Sequence, residues 1–292
     1  MAAPPAMSSW AAGRVRREEA MTSRRQLLFV APLLCLSPVA RAAEPADLVL
    51  VQQGTLPILL TAPHGGRMAV PGVMPRAIAP RPPEDTSFVT TVDPETDRLA
   101  LGIAARIKAL TQGDVYLVVA RFDRKYIDAN RAPGIAFDQA AAQPYYDAYH
   151  AAIRRFVDEI RARHPHGLLI DVHGQAKIPD GLARGTIDGR SIRQLLARAG
   201  AAAMTGPNGL FGQLERNGFR VVPDNAVPFA GRTEDPRFNG GYTVDRYGSH
   251  GARGIDAVQC EFGADYRRKA AMDRTIEGAA RAIVAFRETY LT

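Results

Sequence analysis

The sequence predicts an α/β protein whose mostly parallel sheet is covered by helices, and three observations predict it. Short apolar runs of the buried-strand type recur at 48–52, 58–62, 114–120, 167–172 and 255–260. Longer stretches with apolar residues at helical spacing lie among them. The two kinds of segment alternate, and parallel strands joined by helical crossovers must carry those helices on the sheet faces.

Taken in order, 48–52 and 58–62 are apolar runs bounded by Gly, Pro and polar residues. Residues 67–92 are rich in Pro, Arg and polar side chains without a period, which predicts a long surface loop. A helix is expected from about 94 to 111, with Leu99, Ile103, Ile107 and Leu110 on one face. The Val/Leu run at 114–120 predicts a buried strand. Residues 145–164 form an amphipathic pattern, with Tyr149, Ile153, Phe156, Val157 and Ile160 on one side and charged residues on the other. A strand at 167–172 follows, then helices at 190–204 and 209–217, a strand at 255–260 and a closing helix at 269–290. No internal repeat is evident, and no second domain boundary follows residue 43.

The N-terminal segment has a different character. Arg24 and Arg25 precede an apolar run at 27–36, and Ala40-Arg41-Ala42 supplies small residues at cleavage spacing, the pattern of an export signal. The run is shorter than the ~20 residues that span a bilayer. Residues 22–28 resemble a twin-arginine signal, although general secretion fits the same pattern. Cys35 follows the bulky Leu34, which argues against a lipoprotein site. The expectation is an N-terminal extension plus cleavable signal over 1–42, with Met21 as the true start, and a single domain over 43–292 working in the periplasm. An uncleaved anchor or a buried helix is the alternative. Cleavage after Ala42 would leave 250 residues, enough for one sizeable core, and would lower the net charge from +7 to +3. No basic stripe with interleaved aromatics is present, so a nucleic-acid partner is not expected, and neither is a membrane once the signal is removed. Cys260 would be the one remaining cysteine, which rules out an intramolecular disulfide.

In open α/β sheets, ligands bind beyond the carboxyl ends of the strands. Three predicted strands end in chemistry-bearing residues: 58–62 runs into Pro63-His64-Gly65-Gly66, 168–172 into His173-Gly174, and 257–260 into Glu261-Phe262-Gly263. Two imidazoles and a carboxylate thus reach one sheet edge, whereas His150, His164 and His166 are expected to be exposed on or near a helix. Two His and one acid form a ligand set for zinc that leaves a position open for water. Asp93 and Glu95 are the candidate acids, although acids at a helix start also act as caps. The polar segment 124–131 contains Arg124, Asp128, Asn130 and Arg131. Arginine forks suit carboxylate binding, while a surface ion pair of Asp128 with either arginine explains the same residues. Asn239-Gly240-Gly241-Tyr242 reads as a tight turn that lets backbone approach a ligand, with the Tyr242 hydroxyl as a donor.

In order along the chain, Pro63-His64-Gly65-Gly66, Asp93 through Leu99, Arg124 with 127–131, Asp171-Val172-His173-Gly174, Gly240-Gly241-Tyr242 and Val258-Gln259-Cys260-Glu261 together resemble the N-formylglutamate amidohydrolase family. The resemblance implies the three-layer α/β/α fold of zinc carboxypeptidases and aspartoacylases, with one zinc ion per chain. It implies His64, Asp93 and His173 as metal ligands, with Asp93 preferred to Glu95. It implies Glu261 as general base and Arg124 as the oxyanion-stabilising arginine. Asn130 and Arg131 become a clamp for a substrate carboxylate, with Tyr242 as a further substrate contact. The implied reaction is hydrolysis of the amide of an N-formyl or other N-acyl amino acid by metal-activated water. Gly174 stands where many relatives carry Ser, and the export pattern is unlike that of the cytoplasmic members. A metallopeptidase or amidase acting on short or cell-wall peptides, and a non-catalytic carboxylate-binding protein, are the competing expectations. The oligomeric state is not legible.

Overall fold

Seven strands form one sheet in the order β1-β3-β2-β4-β7-β5-β6. The computed structural model describes residues 44–77, 88–227, 229 and 233–292. The expected export signal, and much of the expected loop over 67–92, lie outside these residues. The described residues belong to one compact unit.

The elements follow the apolar runs. After a 3-10 turn at Pro45–Leu48 come β1 (Val49–Gln52), β2 (Ile58–Ala62), α1 (Thr96–Thr111), β3 (Tyr116–Ala120) and the single turn α2 (Pro133–Ala136). Next are α3 (Gln143–Arg163), β4 (Leu168–Gln175), β5 (Gly181–Gly185), α4 (Arg193–Ala199), α5 (Ala202–Thr205), α6 (Leu210–Arg216), β6 (Arg220–Val222), α7 (Tyr242–Tyr247), β7 (Asp256–Gly263) and α8 (Lys269–Tyr290). The central pairs β3-β2, β2-β4 and β4-β7 are parallel, as is β5-β6; β1-β3 and β5-β7 are antiparallel. The predicted mostly parallel sheet is therefore present.

Two apolar layers cover it. Leu99, Ile103 and Ile107 of α1 pack with Leu210, Leu214, Ile283 and Phe286 against Leu60, Ile170 and Val258 on one face. Tyr149, Ile153, Phe156 and Val157 of α3 pack on Leu59, Leu169 and Ala257 on the other. Alternation along a strand sends successive side chains to opposite faces. At the ends of β4 and β7, Asp171, His173, Gln259 and Glu261 fall on the α3 face, while Val172 and Cys260 join the core on the α1 side.

The structure departs from expectation in the middle of the chain. Residues 190–204 form a 3-10 turn, α4 and α5 rather than one helix, because Gly200 takes a left-handed conformation (φ 68°) that ends α4. Strands β5 and β6 were not predicted: Gly-Leu-Ala-Arg-Gly lacks β-branched residues, and β6 has three residues. No described helix is long and apolar enough to cross a membrane.

Candidate active site

His64 leaves the end of β2, His173 sits within β4, and Glu261 lies on β7 directly opposite His173 in the ladder. Asp93 enters from the segment before α1, where its backbone N–H donates to the carbonyl of His64 at 2.9 Å. The two imidazole rings lie 4.8 Å apart, edge to face. Nδ1 of His173 and Nδ1 of His64 stand 3.2 and 3.4 Å from Oδ2 of Asp93. Each of the three residues offers a ligand atom within 4.8 Å of the others, so His64, Asp93 and His173 could hold a metal ion.

The other ring nitrogens are taken. Nε2 of His64 lies 2.7 Å from Oδ1 of Asp128, and Nε2 of His173 lies 2.8 Å from Oδ2 of Asp171. Thr61 on β2 donates to the second oxygen of Asp171 at 2.5 Å. A carboxylate behind each imidazole fixes its orientation and directs the opposite nitrogen toward a metal. The Nδ1 of His64 is buried and has no hydrogen-bond partner among the described residues. Such an orphan atom facing an acid and a second imidazole fits a ligand position.

The electrostatics agree with that assignment. Burial opposes ionisation of Asp93, but hydrogen bonds and charge from His173 and His64 outweigh it and hold the carboxyl well below the usual range. Burial likewise opposes charge on His173, yet Asp171 and Asp93 raise its pKa well above the ordinary value. A proton on this imidazole is what a bound cation would displace. Burial pushes Glu261 up to about 7; the charge of Asp93 adds to the shift and that of His173 opposes it. Gln259, two residues earlier on the same strand face, donates to Oε1 of Glu261 at 2.9 Å.

Glu95 does not join the group. It carries a positive φ of 68° at the start of α1, and its half-exposed carboxylate faces Arg98 at 3.6 Å. The carboxylate of Asp93 turns to the imidazoles rather than capping the helix, and the backbone carbonyl of Asp93 accepts from the Thr96 hydroxyl at 2.9 Å.

Arg124 is buried. Its Nε donates to Asp128 at 2.9 Å, and its Nη1 lies 3.5 Å from Asp93. The Asp128–Arg124 pair weighed from sequence exists, but as an interior link to His64 rather than a surface pair. Asp128 is held well below the usual carboxylate range: burial opposes its charge, and His64 and Arg124 prevail.

Two of the expected substrate contacts, Asn130 and Tyr242, take part in the protein's own packing. The Asn130 amide, expected to clamp substrate, lines the cavity and also holds neighbouring groups of the protein. Its Oδ1 accepts from the Thr243 N–H at 2.7 Å, and its Nδ2 donates to Gln259 at 3.3 Å and lies 3.2 Å from Nε2 of His173. Tyr242 does not line the cavity. It opens α7 next to Gly241, where a Cβ would come within 2.3 Å of Asn130 Nδ2. The Tyr242 ring lies 5.5 Å from that of His150. His150 in turn is not exposed: its ring nitrogens meet the Tyr247 hydroxyl at 2.9 Å and the Ala129 carbonyl at 3.0 Å.

The site opens into a cavity of about 400 Å³ lined by His64, Asp93, Arg124, Arg131, His173 and Glu261, among others. Lys177, Arg237 and Arg267, which the motifs did not flag, also line it. The cavity is of the size and polarity that take a small molecule. Asp171 and Gln259 were also missed. Their signal was the two-residue spacing that places them on the strand faces of His173 and Glu261.

The class that the family match supports is that of hydrolases acting on amide bonds. A family model described as N-formylglutamate amidohydrolase matches residues 136–266, and the resemblance read from the motifs holds. The matched stretch contains His173 and Glu261 and begins after His64, Asp93 and Arg124. Among solved structures, an N-formylglutamate amidohydrolase from Ralstonia eutropha JMP134 is 17% identical, with a TM-score of 0.53, over 82% of this chain and 99% of that one. A gene product of Agrobacterium tumefaciens is 15% identical, with a TM-score of 0.52, over 82% of this chain and 95% of that one. At these identities the likeness concerns the fold. No curated protein matches the chain.

Proposed function

We propose that the chain is a zinc-dependent amidohydrolase that removes a formyl or other short acyl group from the nitrogen of an amino acid, with N-formylglutamate as the type of substrate. The observation that carries it is the convergence of His64 Nδ1, His173 Nδ1 and Asp93 beside a buried Glu261. Zinc held by these three residues would supply Lewis acidity toward the acyl carbonyl and acidify water.

The chain's own residues divide the remaining work. Glu261 is 4.0 Å from His173 Nδ1, and burial holds it near half-protonation at neutral pH. That suits a group that takes a proton from the attacking water and returns it to the departing amine. Gln259 holds Oε1 of Glu261, which leaves Oε2 to carry the proton. Arg124, braced by Asp128, presents Nη1 beside Asp93, where it stabilises the developing oxyanion; a well-placed donor contributes roughly 3–4 kcal/mol. Arg131, Lys177 and Arg237 give the cavity wall the charge to bind a substrate carboxylate. Asn130 fixes the approach of α7 to His173. The export pattern of residues 21–42 supports a periplasmic location for this activity, which fractionation of the native cell would test.

The decisive experiment combines elemental analysis of purified protein with hydrolysis of a panel of formyl-, acetyl- and peptidyl-amino acids. We expect about one zinc per chain and turnover of a short N-acyl amino acid. Glu261→Gln should keep its zinc and lose roughly 100-fold or more in kcat. A metal-free wild-type chain, or near-normal turnover in Glu261→Gln, would remove this mechanism.

A further inference from the structure

Arg267 ends the 3-10 turn Ala264–Arg267 that follows β7 and is 7% exposed. Its guanidinium lies against the wall of the cavity and donates to three backbone carbonyls from distant parts of the chain. Nε reaches Phe262 at 3.1 Å, Nη2 reaches Gln175 at 3.1 Å, and Nη1 reaches Pro94. These carbonyls adjoin the functional residues: Phe262 follows Glu261, Gln175 lies two residues after His173, and Pro94 follows Asp93.

Pro94 lies outside the strands, and Gln175 and Phe262 sit in the last two residues of β4 and β7, where the ladder runs out and carbonyls need other partners. A planar fork with five N–H groups can satisfy several at fixed angles, which a lysine ammonium on a flexible stem cannot reproduce. Asp93 and Glu261 are the acids that most favour its charge. Space for it exists because residue 174 is glycine: a Cβ there would stand 2.5 Å from Cζ of Arg267. Beside it, the Gly174 N–H donates to Oδ2 of Asp93 at 3.2 Å.

We infer that Arg267 is a positioning residue: one buried guanidinium fastens the three segments that carry Asp93, His173 and Glu261, and Gly174 is the opening that admits it. The roles of those three residues rest on the function proposed above; the fastening itself does not.

The test uses the full-length mature chain and the variants Arg267→Lys, Arg267→Ala, Gly174→Ala and Gly174→Ala/Arg267→Ala. Arg267→Lys keeps the charge, and we expect zinc affinity, read by competition with a chromophoric chelator, to fall roughly 10-fold or more. kcat should fall with it while KM for the acylated amino acid moves by less than about 3-fold, because the change alters geometry rather than substrate contact. Amide hydrogen exchange should quicken together around residues 93–96, 174–176 and 262–264. Gly174→Ala should lower unfolding stability in the wild-type background and add little once Arg267 is alanine, a strong coupling in the double-mutant cycle. Wild-type exchange and zinc affinity in Arg267→Lys, or equal cost of Gly174→Ala with and without Arg267, would overturn the inference. A wild-type chain with neither zinc nor hydrolysis defeats the functional proposal instead, and the exchange pattern and the cycle still decide whether Arg267 fastens the three segments.

Discussion

Asp171 and Asp128 set which nitrogen each imidazole offers to the site. Each carboxylate lies within hydrogen-bond reach of an Nε2 and leaves Nδ1 toward Asp93. Replacing Asp171 by Asn keeps the shape and removes the charge, and loss of such a partner commonly costs 10- to 100-fold in metal affinity or activity. Asp171→Asn should therefore weaken zinc binding by roughly that factor, measurable by chelator competition. Unchanged affinity would mean that Asp171 only fills space. Glu261 sets the pH response. Its carboxyl is raised to about 7 by burial, and a general base must be ionised, so kcat/KM should rise with pH along an acid limb. A bound cation nearby lowers the midpoint, so the limb should lie at or below about 7 and vanish in Glu261→Gln. A limb that persists in that variant belongs to another group. His64, His173 and Glu261 were legible because each ends or follows an apolar strand. Arg267 was not, and neither was the contact of Asp128 with His64, since their value lies in contacts that join segments far apart in the chain.

Among the elements, α3 and α8 show how far periodicity reaches. Each is long, with one apolar face, and each was predicted within two residues of its observed ends. Gly181–Gly185 was missed because its strand character comes from pairing with β7, not from its own side chains. Phe286 of α8 is fully buried in the apolar layer that also holds the inner face of α1. Phe286→Ala should cost roughly 3–5 kcal/mol in denaturant unfolding, while a loss below about 1 kcal/mol would show that α8 repacks. On α3, burial lowers the pKa of His150 to about 4. The unfolded chain, with a value near 6.5, binds this proton more readily. Between about pH 6.5 and 4 the unfolded state thus holds more protons, and stability falls as pH falls through that window. His150→Gln should flatten that part of the stability profile; an unaltered slope would assign it to other groups.

For the molecule as a whole, a metal that binds the native cluster and not the unfolded chain must stabilise the fold. Free zinc at a thousand times its dissociation constant would add about 4 kcal/mol. Chelation should accordingly lower Tm, and re-addition of zinc should restore it, with His173→Ala insensitive to both. A wild-type Tm indifferent to chelator would speak against a resident ion. The α/β layering could be foreseen because it follows from the alternation of apolar runs. Which strands run antiparallel, β1 at one margin and the β5-β6 pair at the other, could not, since strand direction there is set by connections rather than by pattern.

Strands β4 and β7 run side by side for eight residue pairs, with His173 facing Glu261. A ladder moves only in whole steps, and a one-residue slip of β7 would present Cys260 or Phe262 opposite the imidazole, on the wrong side of the sheet. The spacing between Glu261 and His173 is thus discrete, like the teeth of a gear. Small adjustments of reactivity in this architecture must come from the flanking loops, because the pair itself cannot be tuned by degrees.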